Sequence, residues 1–174
     1  TDRSAYLVAK MFGEQLSVTA RLEGLDSRIV RPFNVYGRRM DRKSPYGRVM
    51  VNFVRAARRG EPLVVNGDGL QTRSFCHVDD FIDALLFYDS VDEGVPVVNI
   101  GNPIPTRIID LAETVRILVG GGSPIVHAPQ VPFEPRFRCP DISLIRSITG
   151  WSPKVSLDVG LSDIIGEEDG GLTP

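Results

Sequence analysis

The segment SRIVRPFNVYG, residues 27–37, joins a short apolar strand to the start of a loop. Ser27–Arg31 read as the strand and Pro32 ends it, because proline has no N–H group to give to a sheet. Asn34 offers both a hydrogen-bond donor and an acceptor, and Gly37 permits a sharp turn. In open α/β sheets, ligands bind where strands end at their carboxyl side. The segment therefore predicts a ligand-binding loop, with an ordinary strand-to-loop exit as the alternative.

Helices and short strands alternate on both sides of this segment, which predicts an α/β fold. The expected helices are Ala5–Arg21 with Ser4 as its cap, Gly47–Arg59, a helix from a cap at Asp79 or Asp80 to Tyr88, a helix from a cap at Thr106 to Val119, Asp141–Gly150, and a last helix from Ser156. The expected strands are Pro62–Asn66, Arg73–Val78, Val95–Ile100 and Pro124–His127, with a loop from Asn34 to Pro45 and a disordered tail after Gly166. Only residues 27–31 and 97–100 look like buried strands of a parallel sheet. Two strands do not make such a sheet on their own, so we expect part of the fold to be missing from this chain.

The composition is that of one globular domain: 174 residues, of which 42% are hydrophobic and 24% are charged. A formal net charge of −2 provides no basic field for nucleic acid. No apolar run approaches the roughly 20 residues that span a bilayer, and no signal peptide opens the chain. The two cysteines, Cys76 and Cys139, are too few for a disulfide framework and read as reduced thiols. We therefore expect a cytoplasmic protein that binds neither nucleic acid nor membrane, and no metal site is predicted.

Tyr6 and Lys10 are four residues apart, so they lie on one face of the first predicted helix. A neighbouring ammonium group stabilises a phenolate, which matters because a phenol ordinarily titrates near ~10. The pair therefore fits a proton-transfer role near neutral pH. The same spacing occurs by chance in many helices, where it is a surface lysine beside a half-buried tyrosine.

Two further segments place arginines beside turns or prolines. In GEPLVVNGDGLQTRSF, residues 60–75, Arg73 follows a glycine turn, where a guanidinium group could grip a phosphate with two hydrogen bonds. In EPRFRCPDI, residues 134–142, prolines stiffen a loop that carries Arg136 and Arg138. The alternatives are a hairpin with an exposed arginine and a charged surface loop.

Together these motifs resemble, in order and spacing, the extended short-chain dehydrogenases that act on nucleotide sugars. The resemblance covers about residues 4–165 and is most specific for the UDP-glucuronate decarboxylases, also called UDP-xylose synthases. The matching stretches are YLVAK (6–10), RPFNVYG (31–37), GRV (47–49), GEPL (60–63), QTRSF (71–75), NIGNP (99–103), PDI (140–142) and GWSPKV (150–155).

The resemblance implies the C-terminal part of a Rossmann-type enzyme together with its small α/β substrate-binding domain. Residues 1–36 and 95–119 would belong to the dinucleotide-binding part, residues 37–94 and 120–165 would bind the nucleotide sugar, and 166–174 would be a tail. The cofactor would be NAD and the substrate a nucleotide-diphosphate sugar, with a UDP-sugar favoured. A homodimer is also implied, because the helix of Tyr6 resembles the family's dimer-interface helix and has more apolar residues than one core face needs.

The resemblance also assigns roles to individual residues. Tyr6 would be the catalytic acid/base, and Lys10 would bind the nicotinamide ribose and assist the phenol. Cofactor contacts would come from Tyr6, Lys10, Pro32 and Phe33. The substrate-binding residues implied are Asn34, Arg48, Val64, Val65, Arg73 and Arg138, with the arginines near the diphosphate and the two valines against the base.

Departures from the family pattern at four places weaken the choice of substrate. Arg38 stands where the family often has proline, and Asn66 and His77 stand where the decarboxylases often have aromatic residues; the segment 41–46 also differs. In addition, no glycine-rich phosphate loop follows a strand, since the glycines at 120–122 follow a helix. The family places that loop before the tyrosine, so we expect this chain to be a fragment that is inactive alone.

Two classes of function remain open from the sequence. The first is a fragment of an enzyme that oxidises C4 of a nucleotide sugar, most closely a UDP-glucuronate decarboxylase, with a 4-epimerase or 4,6-dehydratase as the alternative. The second is a catalytically inactive module for nucleotide binding or dimerisation.

Overall fold

The computed structural model describes residues 3–40, 49–91, 97–132 and 134–166. Six helices lie in these ranges: α1 (Arg3–Leu22), α2 (Val49–Arg58), α3 (Val78–Asp89), α4 (Ile108–Val119), α5 (Ser143–Thr149) and α6 (Leu157–Gly166). Eight short strands accompany them: β1 (Ile29–Pro32), β2 (Val35–Tyr36), β3 (Leu63–Asn66), β4 (Thr72–Ser74), β5 (Cys76–His77), β6 (Val97–Ile100), β7 (Pro105–Arg107) and β8 (Ile125–Ala128). None of the helices in these ranges is long and apolar enough to cross a membrane.

The strands form four two-stranded sheets, three of them parallel. β1 pairs with β6, with Ile29 opposite Val97, as expected for the two strands that read as sheet core. β2 pairs with β5 and β3 with β8, also in parallel, whereas β4 and β7 are antiparallel. Parallel pairing between strands far apart in sequence requires crossover connections, and these contain the helices. The predicted α/β class is confirmed.

Three of the predicted boundaries between strands and loops are wrong. The expected loop after Asn34 contains β2, the expected strand at 73–78 is split into β4 and β5, and β7 lies in a segment expected to be a loop before a helix. Strands of two or three residues are too short for a periodic pattern of apolar side chains. Their existence depends on partners that are distant in the sequence.

Three predicted helix caps are also wrong. Ser4 lies inside α1, and Thr106 lies in β7, so that Arg107 precedes α4. The acceptor at the start of α3 is His77, whose Nδ1 receives the N–H of Asp79 at 3.3 Å. The helices expected to begin at Asp141 and Ser156 begin at Ser143 and Leu157. The Asp141 carboxylate accepts the N–H of Ser143, and the Ser156 hydroxyl accepts that of Val159.

Two hydrophobic cores hold these elements together. The first joins α2, β3, α4 and α6 and includes Phe53, Leu111 and Tyr36. The second joins β6, α3 and α5 around Ile100 and Trp151. Residues 97–119 contribute to both cores, because β6 lies in the second core and α4 in the first. The division of the chain into a dinucleotide-binding part and a sugar-binding part stays a prediction.

Candidate functional site

The Tyr6–Lys10 pair lies on the exposed surface of α1. The Lys10 Nζ atom is 5.5 Å from the centroid of the Tyr6 ring, and 68% of Tyr6 is exposed. The ammonium group and the phenol therefore share one environment, as the helical spacing predicts. Along α1 the apolar side chains of Leu7, Met11 and Phe12 are exposed as well.

Helix α1 is attached to strand β1 through one ion pair. The Arg31 Nε and Nη2 atoms donate to the two carboxylate oxygens of Glu14 at 2.8 and 2.6 Å. These hydrogen bonds hold the pKa of Glu14 below its usual value. Arg31 lies two residues before Phe33, so the ion pair connects the helix of Tyr6 to the exit of β1.

Asn34, just after β1, has a left-handed backbone conformation, and its side chain contacts strand β4. Asn34 has a φ of 41°, a left-handed conformation that asparagine adopts more readily than most residues. Its Nδ2 group donates to the carbonyl of Ser74 at 2.7 Å, and its own carbonyl accepts the N–H of Cys76 at 3.2 Å. Because its amide oxygen has no described partner, Asn34 keeps one acceptor for a ligand.

Phe33 contacts the loops that follow β6 and precede α5. Its N–H donates to the carbonyl of Ile100 at 2.9 Å. A Cβ atom at Gly101 would lie 2.9 Å from the Phe33 Cβ and 2.8 Å from the Pro140 Cγ. Only glycine allows these three segments to approach so closely, and the contact brings Phe33 beside the segment that carries Arg138.

Arg73 is buried and bonded within the protein, so the alternative of a hairpin with an exposed arginine is wrong. Only 9% of its side chain is exposed. Its Nη1 atom donates to the carbonyls of Thr72 and Pro135 at 2.7 and 2.9 Å, and its Nη2 atom donates to Glu134 Oε1 at 2.8 Å. Glu134 was not expected as a partner of Arg73, although it lies at the start of the arginine-bearing segment.

The segment of residues 134–138 is fastened along strand β4. The Thr72 N–H donates to the carbonyl of Arg136 at 2.7 Å, and the Ser74 hydroxyl donates to that of Arg138 at 3.4 Å. The side chain of Arg136 forms an ion pair with Asp68 at 2.8 Å, whereas Arg138 is exposed and has an interaction of its own. Phe33, Asn34, Arg73 and Arg138 are thus brought to one edge of β4.

Val64 and Val65 do not face the same side of β3. Val64 is 52% exposed, while Val65 is fully buried in the first core. Alternation along a strand has this effect, so only Val64 can offer a side chain to a base.

Pro32 is exposed at the end of β1. Arg48 lies outside the described residues.

Two of the departures from the family pattern contact the same carboxylate. The Arg38 Nη2 atom is 3.9 Å from Asp79 Oδ2, and His77 Nδ1 is 3.6 Å from the same oxygen. His77 is buried, and among the described residues its Nε2 atom has no hydrogen-bond partner, although Asp163 Oδ2 lies 3.8 Å away. The departures at Arg38 and His77 are visible in the sequence, but their shared contact with Asp79 is not.

The buried groups near His77 are held in their uncharged forms. Its ring packs edge-on against Tyr36, with 5.4 Å between the centroids. Burial raises the pKa of the Cys76 thiol to about 12, and burial also raises the pKa of Tyr36. Cys76 and Cys139 are both free thiols, as expected. This cluster is therefore suited to structure more than to proton transfer.

Comparisons with known proteins agree with this arrangement. Residues 1–101 match the NAD dependent epimerase/dehydratase family. UDP-glucuronic acid decarboxylase 5 of Arabidopsis thaliana is 42% identical over 160 residues, which are 91% of this chain and 46% of that protein. UDP-glucuronic acid decarboxylase 1 of Danio rerio is 35% identical over 164 residues, 94% of this chain and 38% of the relative. The chain thus spans less than half the length of these curated relatives.

Solved structures give the same picture of the fold. A UDP-glucose 4-epimerase of Thermotoga maritima, solved with UDP-glucose, superposes with a TM-score of 0.83 at 31% identity, covering 91% of this chain and 51% of that one. A UDP-glucuronic acid 4-epimerase of Bacillus cereus, solved with UDP-glucuronic acid and NAD, superposes with a TM-score of 0.79 at 28% identity, covering 91% and 50%. The Rossmann-type fold expected from the motifs is confirmed.

Proposed function

Because this chain belongs to the NAD dependent epimerase/dehydratase family, we propose that the protein containing it modifies a UDP-sugar through oxidation at C4. UDP-glucuronate decarboxylation is the first candidate. The observation that carries the proposal is the Tyr6–Lys10 pair, which α1 presents on an exposed face and Arg31 attaches to the strand that ends in Phe33 and Asn34. The phenol of Tyr6 and the ammonium group of Lys10 lie on α1, which the ion pair with Arg31 joins to β1. The amide of Asn34 lies just after the end of β1.

The described residues fit NAD as the cofactor. Tyr6 and Lys10 offer a hydroxyl and an ammonium group for ribose hydroxyls, and Pro32 and Phe33 offer apolar surface for the nicotinamide ring. The half-buried Phe33 is held by the Ile100 carbonyl, so its position is fixed before anything binds. Bound NAD would supply the hydride acceptor for C4 and return the hydride later in the cycle.

In this proposal Tyr6 moves the proton that accompanies the hydride. Its phenolate oxygen would accept the proton of the C4 hydroxyl, and the Lys10 ammonium group would favour the phenolate by charge. Oxidation gives a 4-keto sugar, in which the ketone is β to the carboxylate of a glucuronate. Carbon dioxide would then leave, the electrons of the broken C5–C6 bond would form the enolate of the ketone, and C5 would take a proton from solvent. Tyr6 would return a proton to the oxygen at C4 when the ketone is reduced.

The substrate-binding residues are proposed from the segments around β4. Arg73 and Arg138, with Arg48, would contact the diphosphate, and Asn34 would contact the sugar through its free amide oxygen. The side chain of Val64 would lie against the base, whereas the buried Val65 could contribute only its backbone. The two cores support a division in which β1, β6, α3 and α5 belong to the cofactor-binding part, and α2, β3, β8 and α4 to the part that binds the nucleotide sugar.

A 4-epimerase or 4,6-dehydratase is the alternative reaction, because the same 4-keto sugar serves all three. Both solved relatives described above are 4-epimerases, whereas the curated relatives are decarboxylases. A catalytically inactive module is the alternative of another class, and the exposed apolar side chains of α1 favour it as a dimerisation surface. We propose a homodimer in either case.

Two measurements test the proposed function. Isothermal titration of the chain with UDP and with NAD is expected to give UDP binding without tight NAD binding, and failure to bind either would favour the inactive module. Incubation of the intact protein with UDP-glucuronate and NAD should release carbon dioxide and form UDP-xylose. NMR spectroscopy of the reaction mixture identifies the sugar product. Formation of UDP-galacturonate instead would assign the epimerase.

A further inference from the structure

The guanidinium group of Arg73 has most of its donors committed within the protein. A guanidinium group carries five N–H bonds. Both Nη1 hydrogens of Arg73 are directed to the carbonyls of Thr72 and Pro135, and one Nη2 hydrogen is directed to Glu134. Within the described parts of the chain, the Nε–H and the second Nη2–H have no partner. An Nε–H and an Nη2–H of one guanidinium group can together bind two oxygens of a phosphate.

The Arg73–Glu134 ion pair is shielded from water. The side chains of Arg73 and Glu134 are 9% and 25% exposed, and the Nη2–Oε1 distance is 2.8 Å. Other carboxylate–guanidinium pairs of the chain, such as Arg107–Asp110 and Arg136–Asp68, are about half exposed on both sides. A buried charge that loses its partner is costly, so Glu134 strongly restricts where the Arg73 guanidinium can lie.

Glu134 also marks the start of the segment that carries Arg138. Three consecutive residues of β4 hold this segment: Thr72 binds the carbonyl of Arg136, Arg73 binds that of Pro135, and Ser74 binds that of Arg138. Two of these bonds are made by backbone or hydroxyl groups of β4. The Arg73 side chain and Glu134 provide the link at the beginning of the segment.

We propose that Glu134 is a positioning residue for recognition of the nucleotide diphosphate. Its carboxylate fixes the Arg73 guanidinium so that the Nε–H and the remaining Nη2–H face a phosphate, and it fastens residues 134–138 so that Arg138 is presented at the same edge of β4. This inference rests on the proposed function, in which Arg73 and Arg138 contact the diphosphate. Glu134 itself would not touch the ligand.

The pair of variants Glu134→Ala and Glu134→Gln separates positioning from charge. Alanine removes the acceptor and frees the guanidinium, so the affinity of the intact protein for UDP should fall about 10-fold, the scale of one hydrogen bond to a charged group. Glutamine retains an acceptor oxygen at nearly the same place, so it should restore most of the affinity. Glu113→Ala is the matched control, because it breaks a 2.7 Å ion pair with Arg116 on α4 and should leave the affinity unchanged.

Hydrogen exchange gives a second measurement that needs no ligand. The Thr72 N–H is bonded to the Arg136 carbonyl at 2.7 Å, so this amide should exchange faster in Glu134→Ala and at the normal rate in Glu134→Gln. Normal UDP affinity in the alanine variant would overturn the inference whatever the exchange rate of the Thr72 amide, as would a glutamine variant that binds UDP as weakly as the alanine variant. A wild-type protein that fails to bind UDP would instead overturn the proposed function.

Discussion

Tyr6 and Lys10 owe their proximity to one turn of helix. Residues four apart on a helix face the same side, and here 5.5 Å separates Nζ from the ring centroid. Tyr6 is 68% exposed in this chain. This part of the candidate site could be predicted from spacing alone, because it depends on no contact with another element.

Replacing Tyr6 by phenylalanine tests the proton-transfer role at that residue. The variant keeps the ring beside Lys10 but loses the hydroxyl, so kcat of the intact protein should fall by at least about 100-fold, the contribution of a general acid or base. Affinity for UDP should remain nearly unchanged, since the arginines lie elsewhere. Steady-state kinetics and titration with UDP measure the two quantities, and retained turnover would remove Tyr6 from the mechanism.

The hydrogen-bond partners of Arg73 could not be predicted from the sequence. Its motif predicts an arginine at a turn, but its partners Glu134 and Pro135 are 61 and 62 residues away along the chain. No local pattern reports such a partner. Asp80 is a second example. Asp79 or Asp80 was expected as a helix cap, but the Asp80 carboxylate accepts the N–H groups of Lys154 and Val155, which are also distant in the sequence.

At the scale of elements, length decides what the sequence reveals. Helices α2 and α4 repeat apolar residues over ten or more positions, so their existence was predictable. Strands β2 and β5 have two residues each and form only because they pair with each other. Gly37 lies where this pair approaches α3: a Cβ there would be 2.4 Å from Val78 Cγ1. The sequence marked this glycine as a turn but gave no sign of its neighbour.

The attachment of α1 to β1 should depend on pH through Glu14. Its pKa lies below the usual value in the folded state, so the ion pair with Arg31 contributes stability above about pH 4.5 and loses it as the pH falls through the folded-state pKa. Both partners are partly exposed, so the contribution is at most about 1 kcal/mol. The amide hydrogens of α1 should therefore exchange with solvent up to about 5-fold faster in the Glu14→Gln variant than in the wild type at pH 7.

The comparison at low pH checks the cause of that effect. Once the pH is below the folded-state pKa of Glu14, the wild-type carboxyl group is protonated, and hydrogen exchange in the two proteins should converge. Glu23→Gln, just beyond the end of α1, serves as the control and should behave as the wild type at both pH values. Equal exchange of Glu14→Gln and wild type at pH 7 would show that the ion pair does not hold the helix.

At the scale of the whole molecule, Asp80 connects the two cores. It lies on α3 in the second core, and only 3% of it is exposed. Its two carboxylate oxygens accept the N–H groups of Lys154 and Val155 at 2.9 Å each, just before α6 enters the first core. The family stretch GWSPKV thus ends at a loop that a carboxylate holds in place.

Replacing Asp80 by asparagine should loosen this connection. An amide can accept only one of the two N–H groups, and its own NH2 group then faces the other donor. We expect the free energy of unfolding to fall by about 2–3 kcal/mol, as for loss of a hydrogen bond to a charged group. Urea unfolding measures the change, and Asp83→Asn on the exposed side of the same helix should leave stability within about 0.5 kcal/mol of wild type.

The proposed homodimer is a property of the whole molecule that the α1 surface can test. Leu7 and Met11 are one helical turn apart and are both more than half exposed, and apolar surface of this kind marks an interface more often than free surface. If a second copy covers it, the double variant Leu7→Lys, Met11→Lys should sediment as a monomer at concentrations where the wild type is a dimer, because two ammonium groups would be buried without partners. Ile117→Lys, at an equally exposed position of α4, should remain dimeric. A double variant that still sediments as a dimer would place the interface elsewhere and leave the exposed face of α1 to another partner.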